Sequence, residues 1–159
     1  MINDVCLRIL HLCTVIPNVI HEISSEELEL RRGTGKWSKK EILGHLIDSA
    51  ANNHQRFVRA QAEVEPVISY DQNEWVKVQH YQHGDIKLLI NLWEFYNRHI
   101  VYVISNITNE NLLKTCRLKS GESQTLLFLI QDYLKHLEHH LKEVVSVPEG
   151  GSLQSQPQL

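Results

Sequence analysis

The stretch QDYLKHLEHHLKEVV, residues 131–145, sets three histidines, His136, His139 and His140, in a leucine-rich amphipathic pattern. A helix advances by about 100° per residue, so residues four apart stand one turn above the other on one face. Leu126, Leu129, Tyr133, His136, Leu137, His140 and Val144 then form a single broad stripe, with His139 off it, toward solvent or a partner. Two imidazoles at this spacing on an apolar face can grip one divalent ion. The paired histidines of the zinc-protease helix use the same geometry, although the glutamate of that motif is absent here. The plainer alternative is that both rings are satisfied by hydrogen bonds at the edge of the core. Two ligands do not complete a metal site, so a third must come from elsewhere in the chain.

The segment EILGHLIDSAANNHQRF, residues 41–57, offers His45 and His54. On a helix His45 lies at one edge of the inner stripe, with Asp48 and Asn52 near the same line, and His54 points to the opposite flank. Gly44 costs a helix about 1 kcal/mol relative to alanine; a glycine kept there permits close approach of another element. Asp48 reads as a solvated carboxylate in preference to a group that orients an imidazole. His99, placed on the inner face of a later helix, competes as third ligand. It ranks behind His45, because a lone histidine on an apolar stripe is more often a hydrogen-bonded core residue. His80 and His83 are expected to be exposed.

These groups need elements to hold them. Ile9, Leu10, Leu12, Cys13, Ile16, Ile20 and Ile23 recur at helical spacing and predict a first helix over 3–23, kinked or split by Pro17. SSEELEL predicts a short extra turn capped by Ser25, and RRGTGK a loop. In WSKKE, Ser38 and Glu41 form a capping box, with Trp37 and Ile42 placed to make a hydrophobic staple. A second helix follows over 39–62, with Ile42, Leu46, Ser49, Ala50, Asn53, Phe57 and Ala60 inward. Residues 63–83 show no periodicity of their own, and a loop of that length is unusual without a functional reason. Tyr70 and Trp75 within it could cover a pocket mouth, but such aromatics more often pin a loop to the bundle. A third helix follows Asp85 and ends near Ile107, with Leu88, Leu92, Phe95, His99, Tyr102 and Val103 on one face. KTCRL predicts a short extended piece, and a fourth helix runs over 123–146. Four long helices with little strand signal predict an all-α four-helix bundle forming one domain, 1–147. Residues 148–159, mostly Gly, Ser, Gln and Pro, predict a disordered tail.

The chain has 159 residues, 42% hydrophobic and 22% charged, with a net charge of −3. No basic field suggests nucleic acid. No uninterrupted apolar stretch approaches the roughly 18 residues that cross a bilayer, so no membrane partner is expected. The N-terminus lacks the pattern of a signal peptide. Cys6, Cys13 and Cys116 are odd in number and widely spaced, which fits a reducing cytoplasm better than a disulfide framework.

GKWSKKEILGHLIDSA, followed about 90 residues later by HLEHH, resembles the DinB/YfiT-like superfamily. The Trp-Ser-x-x-Glu segment, the Gly-His-Leu after it and the closing His-x-x-His-His stand in the order that family shows, from residue 3 to about 146. The resemblance implies an up-down-down-up bundle with a long crossover between the second and third helices. It implies a metal site of His45, His136 and His140, and a homodimer. It further implies a divalent ion (zinc, nickel or iron) that activates a water or a low-molecular-weight thiol on a small-molecule substrate, as a hydrolase or a thiol S-transferase. Imidazole suits several metals alike. The competing expectation is a non-catalytic, stress-related metal-binding or dimerisation bundle. A third reading has no metal, only a hydrogen-bonded histidine network. Asp48, Asn52 and Tyr133 are candidates for positions just behind the ligands.

Overall fold

The computed structural model describes residues 2–145. Four long helices dominate: α1 (Ile2–His21), α3 (Lys39–Ala62), α5 (Ile86–Ser105) and α6 (Leu126–Val145). Between them lie α2 (Ser25–Glu29), α4 (Gln72–Val78), two 3-10 turns (Tyr81–His83 and Asn111–Leu113) and a hairpin of β1 (Thr115–Arg117) and β2 (Ser123–Thr125). α1 packs on α5 and α6, and α3 packs on the same two, so α1 and α3 occupy one diagonal and α5 and α6 the other. α1 and α5 run antiparallel: Cys13 lies against Glu94 and Cys6 against Ser105. α3 and α6 do the same, with His45 beside His136 and Phe57 beside Tyr133.

The core fills the space between the four helices with Ile9, Leu12, Ile16, Leu46, Phe57, Trp93 and Leu137, all essentially inaccessible. Burying each such side chain stabilises the fold by roughly 1.5–3 kcal/mol. By length and composition alone α1 could cross a bilayer; in the bundle its apolar side is used up by the core. Pro17 does not split α1, which continues to His21 with Pro17 itself buried. The missing N–H is tolerated because Cys13, Ile16 and Ile20 hold that last turn in place by packing.

Several sequence expectations need correction. The cap of α2 is Ser24, whose hydroxyl accepts from the Glu27 N–H, not Ser25. The segment 63–83 is not structureless: Asp71 caps α4 by accepting from the N–H groups of Asn73 and Glu74, and a 3-10 turn follows. α6 begins at Leu126, because Ser123–Thr125 pair with β1 in the register Thr115↔Thr125. The face chosen for α5 was the wrong one. Leu88, Leu92, Phe95 and Tyr102 are exposed, and Leu89, Ile90, Trp93, Asn97, Ile100, Val101 and Ile104 point inward. Apolar residues cover more than half of this helix, so periodicity alone could not choose between two adjacent stripes; the bulk of Trp93 decides. The tail expected over 148–159 lies outside the described residues.

The expected span and cap of α3 hold. It spans Lys39–Ala62, and Ser38 and Glu41 exchange both hydrogen bonds of a capping box. Such a cap contributes about 1 kcal/mol. Gly44 gives Tyr81 its seat: a Cβ built there would stand 2.2 Å from two ring carbons of Tyr81. The Tyr81 hydroxyl donates to Asp48 Oδ1 at 2.6 Å, and Gln79 Nε2 donates to the same oxygen. The crossover is thereby clamped onto α3 one turn beyond His45. Gly44→Ala tests the clamp. Alanine gains about 1 kcal/mol of helix propensity, but overpacking costs about 1–3 kcal/mol and the clash displaces a bonded ring. Net destabilisation is expected as a lower urea midpoint.

Candidate metal centre

His45 sits in the second turn of α3, and His136 and His140 in the second half of α6, so the antiparallel pairing brings all three to one end of the bundle. The Nε2 atoms of His45 and His136 are 3.1 Å apart. Ring centroids are separated by 5.1 Å (His45–His136), 4.9 Å (His45–His140) and 4.6 Å (His136–His140). One ligating nitrogen from each ring falls within 4.8 Å of the others. Nitrogens bound tetrahedrally at about 2.0–2.1 Å from a zinc-sized ion stand about 3.3 Å apart, so only small ring rotations are needed to enclose one. The donor set also fits in its chemistry: imidazole nitrogens offer lone pairs to a borderline cation.

The surroundings keep His45 and His136 neutral. Burial, reinforced by the two neighbouring imidazoles, holds His45 down at about 3. Burial and then the His140 ring hold His136 down at about 4. The Trp37 ring lies 4.9 Å from His45 and closes one side of it. His140 Nδ1 is 2.7 Å from a Glu143 carboxylate oxygen; that carboxylate accepts the Nδ1–H, which leaves the Nε2 lone pair free. His45 Nδ1 is buried with no hydrogen bond to protein, and so is Asp48 Oδ2. A pocket of 470 Å³ opens beside the trio, lined by His140, Trp37, Ile42, Lys36, Arg32 and Asn73 among others.

Other candidates fall elsewhere. His99 is exposed on α5 and packs against His54, whose Nδ1 is 3.2 Å from the Tyr96 hydroxyl; neither ring is near the trio. His139 points outward, as do His80 and His83. Asp48 is not solvated: it is 2% exposed and spends Oδ1 on the clamp. Burial pushes its carboxyl upward, against the pull of the bonds from Tyr81 and Gln79. Asn52 donates to the Asp48 carbonyl, and Tyr133 to Asn97 in the core, so neither touches the three rings. The Tyr70 and Trp75 rings meet at a tilt of 59°, their centroids 5.1 Å apart. The chain's own thiols are unsuited to chemistry here: all three are buried, and burial pushes Cys13 up to about 12. Sequence reasoning missed Glu143, although its place three residues after His140 was a readable sign, and it missed the Trp37 contact, having assigned that ring to a staple.

The depressed imidazoles fix a pH dependence. A histidine with a folded pKa below its unfolded value of about 6.5 binds fewer protons folded than unfolded. Its stabilising contribution is fully present above about pH 6.5 and is lost as pH falls toward 4 and 3. Metal-free protein is expected to show a urea midpoint that drops below about pH 6.5, and His136→Gln to flatten that drop.

Comparison with known proteins points to one family. The family model described as the DinB superfamily matches residues 14–144. Two relatives carry the name "Putative metal-dependent hydrolase". BH0277 of Halalkalibacterium halodurans is 28% identical over 136 residues, covering 82% of this chain and 79% of the relative. OB0782 of Oceanobacillus iheyensis is 25% identical over 148 residues, covering 92% and 86%. Among solved structures, YfiT from Bacillus subtilis, described as a probable metal-dependent hydrolase with an unusual four-helix bundle topology, superposes with a TM-score of 0.83. That match covers 90% of this chain and 83% of YfiT at 18% identity, which speaks for the fold. With the family model spanning most of its length, the chain belongs to the DinB superfamily.

Proposed function

We propose that this protein is a metal-dependent enzyme in which His45, His136 and His140 hold one divalent ion, zinc, nickel or iron, at the floor of the pocket beside His140. The observation that carries the reading is the convergence of three imidazoles from two helices next to a cavity. Three protein nitrogens with an open side describe a catalytic centre more than a structural one. A bound ion would supply Lewis acidity that lowers the pKa of a water or of an added low-molecular-weight thiol. The residues of the chain do the rest. Glu143 fixes the tautomer of His140, Trp37 shields His45 from water, and the Tyr81–Asp48 clamp keeps α4 against the mouth. Hydrolysis is supported by the names of the relatives. A thiol S-transferase is the narrower alternative, and its thiol would come from outside, since the chain's own are buried. The unpaired cysteines support a reducing, cytoplasmic setting.

The three histidines stand at one end of a bundle whose core is filled by apolar side chains, so loss of metal is expected to remove activity and leave the fold. Each of His45→Ala, His136→Ala and His140→Ala should bring metal content well below one equivalent in protein purified without a histidine tag, with the helical circular dichroism retained. Unfolding on chelation would instead indicate a structural site in a non-catalytic bundle. Full activity in His136→Ala would remove the enzymatic reading altogether.

A homodimer is part of the proposal. Leu88, Leu92, Phe95 and Tyr102 leave an apolar face of α5 exposed at 45–68% per residue, and contiguous patches of this kind mark interaction surfaces. Sedimentation is expected to report a dimer for the native chain and a monomer for Phe95→Glu.

A further inference from the structure

The pocket beside His140 carries more positive charge than its surroundings explain. Arg32, Lys36 and Lys39 all line it. Arg32 and Lys39 share the single carboxylate of Glu27. Lys36 makes no ion pair among the described residues. Among the described residues the carboxylate on this wall is Glu143, which pairs with His140. The wall is therefore cationic in a chain whose net charge is −3. Leu30, Trp37 and Ile42 give the same cavity an apolar side.

The loop that presents these groups is shaped for the task. Gly35 has φ 72°, a left-handed conformation that costs glycine little and other residues more. The turn sets Lys36 and Trp37 side by side on the partition between this pocket and an adjoining cleft of 510 Å³, and both side chains line both spaces. A lone surface lysine is ordinarily just solvated. Here it stands in a concavity with Arg32 and Lys39, beside one of the three imidazoles.

We propose that this pocket binds a small organic anion with an apolar body. Lys36 and Arg32 are its counter-charges, and Trp37, Ile42 and Leu30 receive its apolar part. The role of the pocket as a substrate site rests on the metal-centre reading above; anion binding itself does not.

The test uses the full chain, stripped of metal by chelator, and calorimetric titration with 4-phenylbutyrate and with its neutral isostere 4-phenylbutyramide. The stripped protein is expected to bind the carboxylate, and to bind the amide about fivefold more weakly or less. Lys36→Gln should weaken carboxylate binding by about three- to fivefold and leave the amide unchanged, and Lys36→Glu should abolish carboxylate binding at low salt. Because the Lys36 ammonium makes no hydrogen bond or ion pair among the described residues, both variants are expected to keep the native melting temperature. Equal affinity for the two probes, or Lys36→Gln binding as the native chain does, overturns the proposal. So does carboxylate binding seen only after metal is restored, which would assign the anion to the ion. His136→Ala separates the two readings: loss of metal with carboxylate binding intact leaves the anion site standing, even if the same protein proves to have no catalytic centre.

Discussion

An imidazole removed from water between two other imidazoles cannot carry a charge at neutral pH. His45, 1% exposed and held at about 3 by burial and by its two neighbours, is subject to this constraint, and the rest of the site follows from it. Neutral rings with lone pairs turned toward one another are poor partners for each other, since only one proton can serve the 3.1 Å contact between His45 and His136. The arrangement disfavours protons and favours a cation that needs three soft nitrogen donors. Residues that would spoil it are kept away. The Asp48 carboxylate, one turn along α3, is bound to Tyr81 and Gln79 and not to a ring. The glutamate that does reach the trio meets only the far nitrogen of His140.

The scaffold answers the problem of fixing one ring on α3 against two on α6. The capping box at Ser38 and Glu41 sets where α3 begins, and with it the rotation that turns His45 inward. Arg31 adds a further bond to Glu41, so the loop before α3 is tied to the helix it introduces. Immediately before His45, the missing side chain at Gly44 lets the Tyr81 ring lie directly on the helix backbone. A larger residue would push the crossover outward and open the pocket wall. On the opposing side, Leu137 and Leu141 are fully buried and leave α6 no freedom to rotate its histidines away.

Much of this was legible in the sequence because it follows from short-range rules. The four-residue spacing of His136 and His140 fixes a common face, WSKKE fixes the start of α3 to the residue, and a glycine in mid-helix signals close approach. The fourfold helical architecture follows from the same periodicities. What was not legible depends on tertiary competition. α5 has two apolar stripes, and only packing chooses between them, which is why His99 was placed inward and in fact meets His54 at the surface. Asp48 was read as solvated because nothing local announces that a tyrosine 33 residues later will bury it. The short helix α4 is too brief to show a period, and Ser123–Thr125 were absorbed into a helix because a three-residue strand has no pattern of its own.

His45 and His136 lie 91 positions apart, and α3 and α6 stand side by side only because α5, between them in sequence, has taken its place on the neighbouring corner. Closing a loop of that size carries an entropic cost that is repaid only when the last helix docks. A chain emerging from synthesis thus holds no complete ligand trio until its final long segment is in place. An ion held by the proposed trio would in this way be captured only by the finished molecule.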